Sequence, residues 1–526
     1  MGWMSWTQFR CQTNCEKYPN ACINENLYQE MADKLVSDGY LDASYNHIHI
    51  DDCWMEKQRD SNGRLVADQA RFPSGIKALA KYMHDRNLYL GIYEDWGNKT
   101  CAGYPGSNGY IQAGCFESSL FHAKTIVFLH LKTSTDAQTF ADWDCDYLKL
   151  DGCHMKQSNE HIGYPLMEQA LNATGRPIMY SCEWPYYLID EQNKINYTEI
   201  AQSCNLWRNF NDVSNNWLSI LSTMDFYNRM QNKLIDAAGP GQWNDPDMLV
   251  IGMKNGLTVD QAKVQMTVWS IWAAPLIMSN DLRDIDPKFR EILLNRDVIA
   301  IDQDPLGKMG RMMLNTDNTY VYVKPVTPIL DKSYNSFGIG VVNRHLTDAV
   351  TVKFTFSAAG MNYEGGYTVK DLWSGENMGI YKPSDAFAVK VPSTAPIPGR
   401  PGEVEIITIP GSSGSGLSGS GSPGAPVIAN CIANCPSIYR DNCYGTVKMT
   451  CATGVQANSM VTTTGTECRQ TWTCPAGTQP YYYDYSSIPI DYPPGGYAQC
   501  YPPPRNNWYL PDGITQIQAV SCESPT

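Results

Sequence analysis

Acidic residues stand at or just after the ends of several apolar runs in the N-terminal part of the sequence. They are Asp51, Asp52, Asp151, Glu183, Asp212, Asp245 and Asp247. A single aspartate at such a place commonly caps the following helix. Capping alone does not account for acids after most of the consecutive runs, so we interpret the group as carboxylates that converge on one functional site.

Two kinds of chemistry use converging carboxylates: binding of a hard cation such as Mg²⁺, and cleavage of a glycosidic bond by a pair of carboxyl groups. Tryptophans, whose flat apolar faces suit sugar rings, occur among the acids. They are Trp6, Trp54, Trp184, Trp207 and Trp243. A phosphate site would need a glycine-rich loop or a basic cluster, and the net charge of −14 argues against nucleic acid and anionic membranes. The pattern therefore favours sugar hydrolysis without a metal ion or other cofactor.

Short apolar runs alternate with helical patterns over residues 1–308, which predicts parallel strands joined by crossover helices. The predicted strands are Trp3–Trp6, Asn46–Asp51, Leu88–Tyr93, Tyr147–Asp151, Pro177–Cys182, Asn205–Phe210, Gln242–Met248 and Ala274–Ser279. Helix candidates lie between them, for example Glu25–Ser37, Ile76–Arg86, Asp136–Trp143 and Val259–Trp272. This strand count is that of a (β/α)8 TIM barrel, whose catalytic groups lie at the carboxyl ends of the strands. A doubly wound open sheet is the alternative, but no glycine-rich phosphate loop follows the first strand.

The pattern changes after the predicted barrel. Short strands with few helical stretches over residues 309–410 predict an antiparallel β-sandwich domain. These strands are Tyr320–Lys324, Ser336–Asn343, Ala349–Phe356, Gly366–Leu372 and Val404–Ile409. Residues 411–426 are typical of a flexible Gly/Ser linker, and residues 427–526 predict a small cysteine-rich C-terminal module. Aromatic residues in this module either bind carbohydrate or, in the plainer interpretation, belong to a disulfide-stapled scaffold.

The cysteine content predicts an oxidising compartment, since the chain has 18 cysteines. Three N-glycosylation sequons, at Asn98, Asn172 and Asn196, point the same way. The chain opens on MGWMSW and not on a signal peptide, so we read its start as a mature or truncated N-terminus. No apolar run is long enough for a membrane span. We therefore expect a lysosomal or secreted protein.

Long motifs in the predicted barrel are similar to those of glycoside hydrolase family 27, which contains lysosomal α-galactosidases and α-N-acetylgalactosaminidases. The motifs are MGWMSW, HIHIDDCW, GRLVADQARFPSGIKALA, LGIYEDWGNKTCAGYPG, DAQTFADW, YLKLDGC, SCEWP, NLWRNFND, GPGQWNDPDML, APLIMSNDLR and VIAIDQDPLGK. The resemblance implies a TIM barrel followed by an antiparallel β domain. It also implies a homodimeric retaining exo-glycosidase that removes terminal α-D-galactosyl residues from glycolipids, glycoproteins or oligosaccharides by double displacement. An α-N-acetylgalactosaminidase and a catalytically inactive sugar-binding protein on the same fold are the alternatives.

The resemblance also implies roles for individual residues. Asp151 corresponds to the nucleophile and Asp212 to the general acid/base of the family. The implied substrate-binding residues are Trp6, Asp51, Asp52, Tyr93, Lys149, Glu183, Tyr186, Tyr187, Arg208 and Asp247. The implied disulfides are Cys11–Cys53, Cys15–Cys22, Cys101–Cys153 and Cys182–Cys204. The three sequons match glycosylation positions of the family.

Physical chemistry adds expectations to these roles. A retaining glycosidase holds its two carboxyl groups ~5–5.5 Å apart. Lys149 precedes Asp151 by two residues on the same strand face, so its cation is expected to favour an ionised nucleophile. Asp212 must begin protonated, so we expect an apolar or acidic surrounding that raises its pKa. Glu183 and Tyr186 are both large, which predicts that the loop after the fifth strand accepts galactose and excludes an N-acetyl group.

One segment departs from the family pattern. The stretch Ile111–Thr135 is longer than the corresponding family segment and includes the apolar run Thr125–Leu131. It is either a lineage-specific surface loop or a translated intron. Because it precedes the strand that carries Asp151, its placement bears directly on the predicted site.

Overall fold

The computed structural model describes residues 1–111, 134–316, 318–330, 334–345, 348–393 and 405–409, together with short strands between residues 449 and 525. The chain divides into two compact units, Met1–Ser413 and Gly414–Thr526. The predicted linker and most of the predicted insert lie outside the described residues. Among the described residues, no helix is long and apolar enough to cross a membrane.

Eight parallel strands form the predicted barrel. They are β1 (Gly2–Met4), β2 (His47–His49), β3 (Tyr89–Asp95), β4 (Tyr147–Asp151), β5 (Met179–Cys182), β6 (Leu206–Arg208), β7 (Trp243–Asp245) and β8 (Ile277–Met278). Their order in the sheet is β7-β6-β5-β4-β3-β2-β1-β8. A parallel bridge between Leu249, which follows β7, and Met278 of β8 closes the ring. The predicted TIM barrel is confirmed.

Helices connect the strands of the barrel. They are α1 (Trp6–Phe9), α2 (Glu25–Ser37), α3 (Gly75–His84), α4 (Thr135–Asp142), α5 (Glu160–Ala173), α6 (Trp184–Tyr187), α7 (Tyr197–Ser203), α8 (Trp217–Ala237), α9 (Val259–Ile271), α10 (Pro287–Leu293) and α11 (Arg296–Asp302). Short 3-10 helices occur at Leu41–Ala43, Gln157–Asn159 and Ile189–Lys194. Helix α2 shows why such segments are helical. Asn24 caps its first turn by accepting from the Leu27 N–H, and Leu27, Met31 and Leu35 place one apolar face in the core.

An antiparallel β domain follows the barrel in the same compact unit. Its strands are β9 (Arg311–Thr316), β10 (Thr319–Leu330), β11 (Tyr334–Asn343), β12 (Val350–Thr355), β13 (Tyr367–Asp371), β14 (Asn377–Tyr381), β15 (Ala386–Val391) and β16 (Glu405–Ile409). They form a sheet of order β14-β13-β16-β11-β10-β9 and a separate β12-β15 pair. Val341, Phe354, Tyr367 and Phe387 meet in a core between them, so the predicted sandwich is confirmed.

Helix α9 connects the barrel and the sandwich. It is buried almost all round, because one side packs on the barrel and the other contacts β10 and β11. Lys324 of β10 is fully buried and donates to the carbonyl oxygens of Ser270 at 3.1 Å and Asp302 at 3.0 Å. The sandwich therefore supports the barrel from outside, on helices α9 and α11.

The described part of the second compact unit contains two small antiparallel sheets. Its strands are β17 (Met449–Cys451), β18 (Met460–Thr464), β19 (Glu467–Thr471), β20 (Gln479–Tyr483), β21 (Pro489–Asp491), β22 (Ala498–Cys500), β23 (Trp508–Tyr509) and β24 (Ala519–Pro525). One sheet has the order β17-β24-β20-β21 and the other β18-β19-β22-β23. The predicted cysteine-rich module is thus a β structure in its described parts.

The residues that flank the predicted insert lie close together and form a closed neck. The Ser134 hydroxyl donates to the Tyr110 carbonyl at 2.9 Å, so the two ends of the segment meet. The Arg59 guanidinium lies 3.7 Å from the centre of the Tyr110 ring and binds both oxygens of Asp136, at 2.5 and 2.8 Å. The barrel therefore fixes both ends of the insert independently of the residues between them.

Replacing residues 112–133 by two glycines tests this neck. Because the ends already meet, we expect an intact barrel and a gain in unfolding free energy of up to about 2 kcal/mol from the shorter loop. Urea unfolding of the shortened and parent proteins measures this change in unfolding free energy. A longer deletion that also removes Tyr110 and Ser134 is the matched control and should cost stability. A shortened protein less stable than its parent would show that the insert is an integrated structural element.

Candidate active site

The barrel brings the predicted acids to one end of the molecule. Asp51 and Asp52 follow β2, Asp151 ends β4, Glu183 directly follows β5, and Asp247 lies two residues beyond β7. Each of these carboxyl groups is buried. Since parallel strands of a barrel share one carboxyl end, the topology collects side chains that are far apart in the sequence.

Asp151, the predicted nucleophile, is held by three hydrogen-bond donors. The Tyr187 hydroxyl donates to its Oδ1 at 2.5 Å and the Tyr93 hydroxyl to its Oδ2 at 2.8 Å. The backbone N–H of Gly152 donates to Oδ1 at 2.8 Å. These contacts fix the orientation of the carboxylate.

Lys149 lies between two other acids of the site. Its Nζ is 3.0 Å from Asp51 Oδ2 and 3.3 Å from Glu183 Oε1. Burial acts to lower the pKa of Lys149, but Asp51, Glu183 and Asp151 together keep that pKa well above its ordinary value. Lys149 is therefore a charged residue that contacts Asp51 and Glu183 directly. It interacts with Asp151 only electrostatically, over a longer distance.

Arg208, the last residue of β6, contacts three carboxyl groups. Its Nη2 is 2.9 Å from Asp212 Oδ1, and its Nη1 is 3.3 Å from Asp247 Oδ1 and 3.5 Å from Glu183 Oε1. The guanidinium is buried, and Asp247 is the largest of the contributions that raise its pKa against burial. One cation thus connects side chains from three consecutive strand ends.

The expectation of a raised pKa for Asp212 is wrong in this arrangement. Desolvation acts to raise that pKa, but Arg208 and Lys149 outweigh it, with a further contribution from Arg10, so the pKa is lowered. The Asp212 side chain is 51% exposed, unlike the other acids of the site. The guanidinium, which sequence patterns do not place against Asp212, is the physical reason.

The remaining predicted side chains line the same end of the barrel. The Asp52 carboxylate accepts from the Ala102 N–H at 2.9 Å, and burial raises its pKa to about 6. Trp6 is half-buried beside Met4, Met248 and Ile277. Tyr186 is also half-buried, and its ring centre lies 5.2 Å from that of Tyr187. Every predicted site residue therefore lies at or near the strand ends that carry Asp151 and Arg208.

The structure adds a buried acid that the sequence analysis missed. Asp95 pairs with Asp151 across β3 and β4, and accepts from the backbone N–H groups of Gly97 at 2.6 Å and Cys153 at 2.8 Å. A carboxylate oxygen of Asp95 lies within 4.8 Å of one of Asp151 and of both sulfurs of the Cys101–Cys153 disulfide. Burial and Asp151 raise the pKa of Asp95. It was missed because β3 continues two residues beyond the predicted Tyr93 end.

Disulfides brace the loops of the site. The structure forms Cys11–Cys53, Cys15–Cys22, Cys101–Cys153 and Cys182–Cys204, the pairs that the family resemblance implies. Cys101–Cys153 ties the loop after β3 to the residues after Asp151, and Cys182 immediately precedes Glu183. The sequon asparagines Asn98, Asn172 and Asn196 are exposed.

Glu160 is a further buried acid, behind the site. Its Oε2 accepts from the Trp96 indole N–H at 3.0 Å, while Oε1 has no partner among the described residues. Burial raises the pKa of Glu160 to about 8, with a smaller contribution from Asp151. This buried carboxyl group, close to the carboxyl ends of the barrel strands, therefore keeps its proton up to neutral pH.

Comparisons with known proteins agree with this arrangement. A family model for alpha galactosidase A matches residues 1–119 and 127–304, and one for the alpha galactosidase C-terminal beta sandwich domain matches residues 317–395. Human alpha-galactosidase A is 49% identical over 345 residues, which cover 65% of this chain and 73% of the human sequence. Chicken alpha-N-acetylgalactosaminidase is 44% identical over 391 residues, covering 74% of this chain and 89% of the chicken sequence. The crystal structure of alpha-galactosidase I from Mortierella vinacea has a TM-score of 0.63 and 25% identity, covering 79% of this chain and 98% of that one.

The raised pKa of Glu160 predicts a pH-dependent stability. Between its ordinary pKa of 4.5 and about 8, the folded state keeps a proton that the unfolded state has released, so rising pH destabilises the folded protein. Glu160→Gln removes this titration and still accepts from Trp96. We therefore expect the variant to gain stability over the parent by up to about 1.4 kcal/mol per pH unit across that range.

Urea unfolding at pH 5, 6 and 7 measures this gain. Glu291→Gln, on the exposed side of α10, is the matched control for the loss of a surface carboxylate. A pH-independent difference for Glu160→Gln would contradict the assignment of a protonated buried carboxyl group.

Proposed function

Since the chain belongs to the alpha-galactosidase family of glycoside hydrolases, glycoside hydrolase family 27, we propose that it hydrolyses terminal α-D-galactosyl residues with retention of configuration. The observation that carries this proposal is the pair of tyrosines that orient the Asp151 carboxylate at the open end of the barrel. Three donors that fix the Asp151 carboxylate fit the role of an oriented nucleophile.

Asp151 and Asp212 are the reacting groups of the proposal. Asp151 attacks the anomeric carbon while Asp212 protonates the glycosidic oxygen, which releases the leaving group and forms a galactosyl ester on Asp151. Asp212, now ionised, takes a proton from water, and the resulting attack on the anomeric carbon releases galactose and restores Asp151. Both steps invert the anomeric centre, so the product keeps the configuration of the substrate.

Arg208 explains how Asp212 acquires its proton. In the free site Arg208 stabilises ionised Asp212 at 2.9 Å. Glu183 and Asp247 contact the same guanidinium. Arg208, Glu183 and Asp247 are all proposed ligands of the sugar hydroxyls. A bound sugar draws the guanidinium toward its hydroxyls, which weakens the contact with Asp212 and raises the pKa of that carboxyl group. Substrate binding thereby favours the protonated acid that the first step requires.

The other polar side chains supply the sugar contacts. Asp51, Asp52 and Lys149 belong to one buried group at the ends of β2 and β4, where carboxylates accept from sugar hydroxyls and the ammonium group donates to them. Trp6 offers an apolar ring face at the rim of the same site. Tyr93 and Tyr187 border the position of the anomeric carbon, because both bind Asp151.

We further propose a lysosomal or extracellular location with glycans on Asn98, Asn172 and Asn196. Four described disulfides require an oxidising compartment for their formation, and the three asparagines are exposed. A homodimer is proposed from the family resemblance. The proposed division of the chain remains a barrel at 1–308, a β domain at 309–410, a linker at 411–426 and a module at 427–526.

Preference for galactose tests the proposed substrate. Glu183 is positioned by Lys149 and Arg208, and Tyr186 stands three residues later, in helix α6. Glu183 accepts from the sugar 2-hydroxyl, and the two side chains leave no space for an acetamido group. We therefore expect kcat/KM for an aryl α-galactoside to exceed that for the matched α-N-acetylgalactosaminide by ~10²–10⁴.

The variant Glu183→Ser/Tyr186→Ala should shift the preference toward the acetamido sugar. Tyr186→Phe keeps the bulk of the ring and is the matched control, so it should retain the preference for galactose. Comparable kcat/KM values for the two sugars in the parent protein, or an unchanged ratio in the double variant, would refute the specificity. Hydrolysis of neither α-glycoside would refute the proposed function itself.

A further inference from the structure

An exposed arginine stands at the rim of the proposed active site. Arg10 follows the short helix α1, and its backbone N–H donates to the Trp6 carbonyl at 2.8 Å. Its guanidinium carbon lies 5.5 Å from the centre of the Trp6 ring. Arg10 has a φ of 49°, a backbone conformation that residues other than glycine seldom adopt. The helix end and the tryptophan together hold this side chain at the rim.

The guanidinium of Arg10 has no polar partner in the described part of the chain. It forms neither a hydrogen bond nor an ion pair there, whereas Arg208 contacts three carboxyl groups. A guanidinium offers five N–H donors in a planar fork that matches a carboxylate or a sulfate. The donors of Arg10 are therefore available to a ligand at the rim.

The charge of Arg10 acts on Asp212. Arg10 contributes with Arg208 and Lys149 to the lowered pKa of that carboxyl group, and Glu183 and Tyr186 also interact with Asp212. Arg208 and Lys149 are buried inside the barrel end, whereas Arg10 is exposed, so its charge reaches the outer side of the site.

The proposed reaction connects Arg10 with the leaving group. Asp212 must contact the glycosidic oxygen, and the leaving group is attached to that oxygen. The leaving group therefore lies next to Asp212, the carboxyl group whose pKa the charge of Arg10 helps to lower. This step rests on the proposed function.

We propose that Arg10 forms a subsite for leaving groups that carry an anionic substituent, such as a uronate carboxylate or a sulfate ester, near the glycosidic bond. The protein has a net charge of −14 and repels anions at long range. An unpaired guanidinium at the rim offsets this repulsion locally and binds the anion through two parallel hydrogen bonds. Trp6 keeps the guanidinium in place through the face of its ring.

Matched disaccharides test the subsite. The substrates are α-D-galactosyl-galactose, α-D-galactosyl-galacturonate and the sulfate ester of the first, all with the same linkage. Arg10→Gln removes the charge, Arg10→Lys keeps it without the fork, and Lys17→Gln is the matched control. Lys17 is another exposed cation that stacks on an aromatic ring, at 5.1 Å from the centre of the Tyr18 ring.

We expect the ratio of kcat/KM for the uronate to that for the neutral disaccharide to fall by about three- to tenfold in Arg10→Gln. Arg10→Lys should lose part of the preference and Lys17→Gln none. The readout is the ratio of the two substrates, measured for each variant at its own pH optimum, because loss of the Arg10 charge also acts on the pKa of Asp212. Raising the ionic strength from about 20 mM to about 300 mM should shrink the preference of the parent protein.

The outcomes separate the alternatives. A preference for the sulfate but not the uronate assigns the subsite to sulfated leaving groups, and the converse assigns it to uronates. An unchanged ratio in Arg10→Gln overturns the subsite, as does an equal loss on both substrates, which would mean that Arg10 only supports Trp6 or Asp212. If the parent protein hydrolyses no α-galactoside at all, the proposed function fails, and this inference with it.

Discussion

The buried carboxylates at the end of the barrel depend on two buried cations, Lys149 and Arg208. Lys149 contacts Asp51 and Glu183, and Arg208 contacts Glu183, Asp212 and Asp247. Glu183 is shared by both cations. Burying this many acids without cations would cost several kcal/mol each, or would shift them further toward the protonated form. The two cations therefore hold the acids together as one group.

The rest of the barrel fixes where that group can form. Its acids and cations come from β2, β4, β5, β6 and the segment after β7, so they meet only if the ring of strands closes. Closure depends on the bridge between Leu249 and Met278, and α9 and the sandwich pack behind this part of the ring. Disulfides add a second constraint, because Cys101–Cys153 and Cys182–Cys204 anchor the loops next to Asp151 and Glu183. A substitution far from the site that shifts the register of one strand would therefore move the site residues on that strand.

Sequence patterns predicted the barrel and the acids at its strand ends because both rest on local signals, whereas the other site residues came from the family resemblance. Apolar runs that end in acids identify the carboxyl ends of strands, and the structure places Asp151 and Glu183 there. Contacts between side chains that converge from different strands have no such signal. The Arg208–Asp212 pair, which reverses the expected pKa shift of Asp212, and the pairing of Asp95 with Asp151 became visible only in three dimensions.

Several elements escaped prediction for a related reason. Helix α8 is the longest of the barrel, but its polar serines and asparagines obscure the helical pattern that tertiary packing stabilises. Strands β9, β14 and β15 were also missed. In β9 and β14 most residues are partly exposed, so neither shows a clear apolar run. Strand β15 alternates buried and exposed residues, a strand pattern that was overlooked. The order of strands in the sandwich follows from long-range pairing, which the sequence does not display.

Identification of the residue that carries the sugar is the most direct measurement on the central claim, that Asp151 is the nucleophile of a retaining α-galactosidase. The protein is incubated with a slowly hydrolysed 5-fluoro-α-D-galactosyl fluoride, quenched in acid and digested, and its peptides are analysed by mass spectrometry. The account predicts a fluorogalactosyl ester on Asp151 and none in Asp151→Asn, which should also lose at least ~10³-fold in kcat. A label on Asp212 or Glu183, or substantial turnover by Asp151→Asn, would contradict it.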